Sequence, residues 1–135
     1  IYIGSDKLQH GLIVNKTETS ALWQSTSILA NANRTEDGAW NTGLITNSPA
    51  VTYVTGFGAG WYLPSIDELG LLYYNRFSTN KALRAGGFNT LSKTAIYWSS
   101  TENAIANAQC FKFDYGHATN SYKISNQLVR AVRAF

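Results

Sequence analysis

The chain has no methionine, one cysteine, two prolines and two histidines in 135 residues. With Cys110 alone, an intrachain disulfide and any cysteine-based zinc site are excluded, and the redox compartment stays open. His10 and His117 are far apart in sequence, so neither has an adjacent partner for acid–base work or metal binding. Charged residues make up 14% of the chain and the net charge is +3, with the cations scattered and not gathered in a run. Nucleic acid is therefore not an expected partner. No apolar run reaches the length of a membrane span, and no signal peptide is visible. Without a methionine at position 1, the expectation is a processed chain or a domain cut from a longer protein.

Aromatic residues are plentiful at 13%, and 135 residues suffice for one domain, 1–135, with a core of its own. Gly11-Leu12-Ile13-Val14 reads as a buried strand with 1–3 as an edge partner. Thr17-Glu18-Thr19-Ser20 offers cap-forming residues, and Ala21, Leu22, Ser25, Ile28, Leu29 and Ala32 recur at helical spacing, which predicts a first helix over 21–31. A short second helix is expected to face the core with Trp40, Leu44 and Ile45 and to stop at Asn47-Ser48-Pro49. Val51 to Val54 suits strand or helix equally. The Gly56–Gly60 passage lacks the lysine and hydroxyl of a nucleotide-binding loop, so close backbone packing is its expected use.

Ser65 and Glu68 stand at capping-box spacing, followed by the apolar positions Ile66, Leu69, Leu72 and Tyr73, which predicts a helix running to about Arg76. Residues 78–94 are polar and broken by Gly86-Gly87, and read as a long loop with at most a short helical turn. Farther on, Phe111, Phe113 and Tyr115 alternate with Cys110, Lys112 and Asp114 at the period of a half-buried strand, with Cys110 expected on the outward side. Helices early and short strands late predict an α+β domain, with two main helices packed on short antiparallel strands and long loops.

Four stretches occur together: Gly60-Trp61-Tyr62-Leu63-Pro64-Ser65-x-Asp67-Glu68-Leu69, Gly86-Gly87-Phe88, Tyr97-Trp98-Ser99-Ser100-Thr101-Glu102 and Val129-Arg130-Ala131-Val132-Arg133. In that order they resemble the C-type-lectin-fold domains related to the C-terminal domain of the Legionella collagen-like adhesin and to the Fibrobacter-type major paralogous domain. This group includes the variable proteins of diversity-generating retroelements, whose C-terminal segment is rewritten by mutagenic reverse transcription at template adenines. The resemblance implies a non-enzymatic binding module of a bacterium or phage, at the cell surface or secreted as part of a larger protein. Residues 97–135 would be its variable, ligand-displaying segment. Its implied partner is a protein, cell-surface or glycan ligand, and no cofactor or metal is expected.

Asn codons ending in a pyrimidine, mutated at adenines, cannot yield Lys, Gln, Glu, Met or Trp. Ala104, Ile105, Ala106, Asn107, Cys110, Tyr115, His117, Thr119, Asn120, Tyr122, Ile124, Ser125 and Asn126 all lie in the reachable set. Gln109, Lys112, Lys123 and Gln127 do not, and would have to be fixed. All the reachable positions except Ser125 form the expected ligand-binding face. Tyr115, His117, Asn120 and Tyr122 lead it, because Tyr and Asn combine rigid contact area with adaptable hydrogen bonding.

Competing readings are weaker. The formylglycine-generating enzymes share the broad fold class but use paired cysteines, which Cys110 alone does not supply. Neither Pro49 nor Pro64 has the Glu-Pro-Asn or Gln-Pro-Asp context of calcium-dependent sugar binders. Ser99, Ser100 and Thr101 lack a neighbouring base, and their hydroxyls are expected to bond turn backbone near Glu102. Trp61 and Trp98 suit core anchoring better than sugar stacking, and Arg130 and Arg133 are expected to pair with Asp67, Glu68 or Glu102 inside the fold. The alternative function is a fixed-specificity adhesin or carbohydrate-binding domain.

Overall fold

The computed structural model describes residues 1–135 and is α+β, with four helices and ten strands. β1 (Tyr2–Ile3) and β2 (Gln9–His10) form a hairpin. β3 (Leu12–Val14), β5 (Trp61–Tyr62) and β10 (Val132–Ala134) make a three-stranded sheet in the order β3-β10-β5. The main sheet holds β4 (Thr19–Leu22), β6 (Ile96–Glu102), β7 (Asn107–Lys112), β8 (His117–Tyr122) and β9 (Asn126–Val129), in the order β4-β9-β6-β7-β8. It is mixed and not purely antiparallel, because β6 and β9 run parallel with Tyr97 opposite Leu128. No helix is long and apolar enough to cross a membrane.

The helix expected over 21–31 does not form. Thr19–Leu22 pairs instead with β9, and an irregular segment follows. Long-range bonds override the local periodicity there: Trp23 and Gln24 both donate backbone N–H groups to the Lys123 carbonyl, and the fully buried Trp23 indole donates to the Ser99 carbonyl at 2.7 Å. Helix propensity is a weak prior against such tertiary contacts. The cap-forming residues are used elsewhere, Thr17 on Asn15 and Glu18 on Tyr97.

α1 (Gly38–Leu44) is the expected short helix, but it faces the other way. Ile45 is buried, while Trp40 and Leu44 are exposed and Trp40 lies under the Arg34 guanidinium. The inward face carries Asn41, which brackets the Arg34 backbone from both sides, and Thr42, whose hydroxyl bonds Gly38 and Leu63. A Cβ on Gly38 would lie 2.6 Å from the Leu63 carbonyl oxygen and Ser65 nitrogen, so only glycine permits this approach. Ser48 caps α2 (Pro49–Thr55) with Pro49 in its first turn, which resolves Val51 to Val54 as helix.

α3 (Ile66–Tyr74) starts with the expected capping box, and its Glu68 carboxylate also accepts from Gly38 N–H. It ends at Asn75, and α4 (Arg76–Ala85) follows directly where a loop was expected. The sequence signal for α4 is faint because only Leu83 on it is buried. Its hold on the body is partly polar, through Asn80, whose amide bonds the Leu91 backbone as both donor and acceptor.

β6 and β7 divide the core in two. Trp98, Ala108 and Cys110 pack with Trp23, Leu63 and Val129 on one side, and Tyr97, Phe111 and Phe113 pack with Leu69, Leu72 and Leu83 on the other. A strand covered on both faces reads as a continuous apolar run, which accounts for adjacent buried Tyr97 and Trp98. Trp98 is thus a core anchor, and Trp61 packs against the same cluster half-buried.

Candidate ligand-binding face

β7 and β8 form a continuous antiparallel ladder from Asn107 opposite Tyr122 to Lys112 opposite His117. β8 is the outer strand of the main sheet. Three connections flank the ladder. In the β6–β7 turn, Asn103 and Ala104 N–H groups both donate to the Asn107 carbonyl, and Ala104 and Ile105 are left exposed. In the β7–β8 turn, Gly116 N–H donates to the Lys112 carbonyl at 2.8 Å. Gly116 has φ of 74°, and a Cβ there would meet the Tyr73 hydroxyl at 2.5 Å, so glycine is required. That turn presents Tyr115, 72% exposed. Its ring stacks near His117 with centroids 6.2 Å apart, and Lys112 Nζ lies 4.9 Å from its centre. The end of β8 presents Tyr122, 65% exposed, and the β8–β9 turn presents Ile124, 60% exposed.

The sequence-derived face therefore separates into parts. Ala104, Ile105, Tyr115, His117, Asn120, Tyr122, Ile124 and Asn126 are exposed; Ala106, Asn107 and Thr119 are half-buried. Cys110 does not belong to it. It pairs with Thr119 on the side packed against Trp98 and is fully buried, and burial pushes its thiol up to about 11 despite the opposing charge of Lys112. Tyr115 in turn departs from the alternation with Phe111 and Phe113, because the chain has left the strand by Asp114 and is turning.

Beneath the face lies a node that the sequence reading did not assemble. Lys123 is fully buried, and its Nζ donates to Glu102 Oε2 at 2.6 Å and to the Ile28 carbonyl at 2.9 Å, 4.7 Å from the Trp23 ring centre. The Glu102 carboxylate also accepts from Ala30 and Asn31 N–H groups at 2.7 and 2.9 Å. One ion pair thus ties the β8–β9 turn, the end of β6 and the 28–31 loop together. The available signal was that Lys123 falls outside the residues reachable by adenine mutagenesis.

Arg130 is also placed differently from expectation. Its side chain is fully buried 3.3 Å from Glu18, with Nε donating to the Asn15 carbonyl and a guanidinium nitrogen to the Asn89 carbonyl. Arg133 forms no ion pair. The Ser99 hydroxyl makes the expected local bond, accepting from Thr101 N–H, but these hydroxyls also act farther afield: Ser99 donates to the Gln109 carbonyl, Ser100 accepts from Asn41, and Thr101 links Arg34 to Ile66.

Proton affinities are raised by burial at Tyr62, Glu68, Tyr97 and Cys110, each toward its neutral form. Tyr62, Glu68 and Tyr97 lie outside the β7–β8 ladder, and Cys110 lies within it but on its buried side. No three His, Cys, Asp or Glu side chains stand close enough together to hold a metal ion.

The architecture is thus an interior locked by buried aromatics and ion pairs, with an exposed outer strand and three turns. The chain belongs to the family of the Lcl C-terminal domain, that of the Legionella collagen-like protein, which it matches over residues 12–133. No curated protein matches it. Its fold is similar to the crystal structure of a fimbrial protein from Bacteroides ovatus, with a TM-score of 0.77 at 18% identity. The superposition covers 96% of this chain and 37% of the fimbrial protein, so this chain corresponds to a little over a third of that one.

Proposed function

We propose that the protein is a non-enzymatic, adhesin-like binding module of the C-type-lectin type, at the cell surface or secreted. Its ligand face is built from the outer strand β8 and the turns on either side, within the segment 97–135. We further read that face as the variable region of a diversity-generating retroelement protein, with a protein or surface ligand.

One observation carries this reading. Of the residues that adenine mutagenesis could not have written, Lys123 is buried in an ion pair and Gln109, Lys112 and Gln127 are half-buried. The exposed positions Ala104, Ile105, Tyr115, His117, Asn120, Tyr122, Ile124 and Asn126 all fall in the reachable set. Exposure and codon reach thus agree at the exposed positions and at Lys123, whereas reachable Ala106, Asn107, Thr119 and Ser125 are half-buried like Gln109, Lys112 and Gln127, and reachable Cys110 is buried. The exposed set also supplies the Tyr and Asn contacts that suit adaptable recognition.

Sequencing the encoding locus across isolates tests the retroelement reading. The expected result is a near-identical non-coding repeat of the segment after Trp98, with differences at template adenines that fall on the exposed positions. An invariant segment with no repeat would instead leave a fixed-specificity adhesin or carbohydrate-binding domain.

A further inference from the structure

A groove of about 830 Å³ runs between α4, the loop at Ser92 and Lys93, and Phe113–Asp114 at the start of the β7–β8 turn. Its charge is one-sided. Arg76, Lys81 and Arg84 come from α4 and Lys93 faces them, all exposed, and none of the four forms an ion pair. Positions 76, 80 and 84 lie along one row of a helix and 77, 81 and 85 along the next, so helix geometry alone gathers these side chains. α4 carries no acidic residue to offset them. The one carboxylate on the wall, Asp114, accepts from Tyr115 N–H at 2.9 Å. Arg84 by itself would suit the last turn of a helix, where cations meet the helix dipole. That explanation does not extend to Lys81 or Lys93, and Arg76, which donates to the Tyr73 carbonyl at 2.8 Å and stacks on the Tyr73 ring, keeps its remaining donors toward the groove.

The neutral polar groups of the groove are occupied. Both amide atoms of Asn80 bond the Leu91 backbone, and Ser92 Oγ accepts from Thr94 and Ala95 N–H groups. The Tyr73 ring has Arg76 3.9 Å over one face and Phe111 and Phe113 against it, so it offers no open face to a sugar. Cations and apolar surface remain, the latter including Phe77, which is 80% exposed. A neutral glycan would find few partners here, and a polyanionic sugar would engage the cations but leave the apolar surface unmatched.

We propose that this groove binds an acidic peptide segment of a partner protein, with carboxylates on the four cations and an aromatic or aliphatic side chain against Phe77 and Phe113. The site adjoins the display face at the β7–β8 turn, where Phe113 and Asp114 line it, but its cations lie on α4 and at Lys93 and it does not depend on that reading.

The test is fluorescence anisotropy with a labelled peptide in which Glu and Phe alternate. Three further probes accompany it: the Gln–Phe analogue, the Glu–Ser analogue and a sulfated oligosaccharide. The Glu–Phe peptide should bind saturably, and the other three more weakly. Charge reversal by Arg84→Glu with Lys93→Glu, at two exposed positions, should weaken binding at least about tenfold. Tyr122→Ser with Ile124→Ser should leave it unchanged. Amide shifts at Lys81, Arg84 and Lys93 on titrating the unaltered protein give a readout independent of whether the reversed variant folds. The proposal is overturned if those amides do not move, if charge reversal has no effect on a folded variant, or if the Glu–Ser peptide binds as tightly. Binding of the sulfated oligosaccharide with none of the Glu–Phe peptide would likewise overturn it.

Discussion

Replacing Lys123 with Met should be among the most damaging single substitutions in the protein, although Lys123 lies in its most polar stretch. Lys123 and Glu102 are withdrawn from solvent, so the substitution leaves the Glu102 carboxylate in the interior without its counter-charge. The Ala30 and Asn31 N–H groups continue to donate to it, which moderates the loss. The Ile28 carbonyl loses a donor, and Trp23 loses the cation beside its ring. Breaking a buried pair from one side costs about 3–5 kcal/mol. A domain of this kind has roughly 5–15 kcal/mol in total. Urea unfolding with linear extrapolation measures the effect directly. Glu102→Gln should cost a similar amount by stranding the ammonium group. The double variant Lys123→Met with Glu102→Gln should be more stable than the sum of the single losses implies, by more than about 1 kcal/mol. Additive losses, or a Lys123→Met cost below about 1 kcal/mol, would refute the claim that this pair locks the turn.

Three further substitutions or titrations probe the frame. Ser65→Ala removes the α3 cap and should cost about 1 kcal/mol in thermal or urea unfolding. Gly116→Ala forces a Cβ into the Tyr73 hydroxyl at a positive φ, and should destabilise by about 1–3 kcal/mol in the same assay, with Tyr73→Phe partly restoring the loss. Cys110 should react with a thiol reagent at pH 8 far more slowly in the native protein than in urea. Because burial raises its pKa above the ordinary thiol value to about 11, its contribution to stability is intact below pH 9 and is lost as pH rises toward 11. A Cys110→Ala variant should therefore show a shallower alkaline fall in stability than the parent.

What the sequence made legible was chemistry that acts over a few residues. The Ser65–Glu68 capping box, the Asn47-Ser48-Pro49 boundary and the apolar Phe111 and Phe113 all depend on near neighbours, and the structure has each of them. Contacts across long chain distances were illegible. The apolar spacing from Ala21 to Ala32 is helical in pattern, yet Trp23 is held by Ser99, 76 residues away, and the segment follows that constraint. α4 was hidden for the opposite reason, since its attachment rests on Leu83 and on a side-chain amide that periodicity does not register. Cys110 was misassigned because strand alternation predicts one buried side, whereas β7 is covered on both. For the candidate site, the positions on β8 and its turns followed from the family resemblance and codon reach, and exposed Ala118 on β8 was not among them. Lys123 was recoverable only as an exception to that pattern, and its partner Glu102 was not.

The central claim is that recognition residues sit on a frame that does not need them. The most direct measurement is the thermal unfolding of a variant with Ile105, Tyr115, His117, Asn120, Tyr122 and Ile124 all replaced by Ser. Exposed substitutions usually change stability by no more than about 0.5 kcal/mol each in either direction, so six of mixed sign sum to about 1 kcal/mol. The account predicts a cooperative transition within roughly 5 °C of the parent. Loss of cooperative unfolding, or a drop as large as that of Lys123→Met, would show that these residues hold the fold together and would contradict the account.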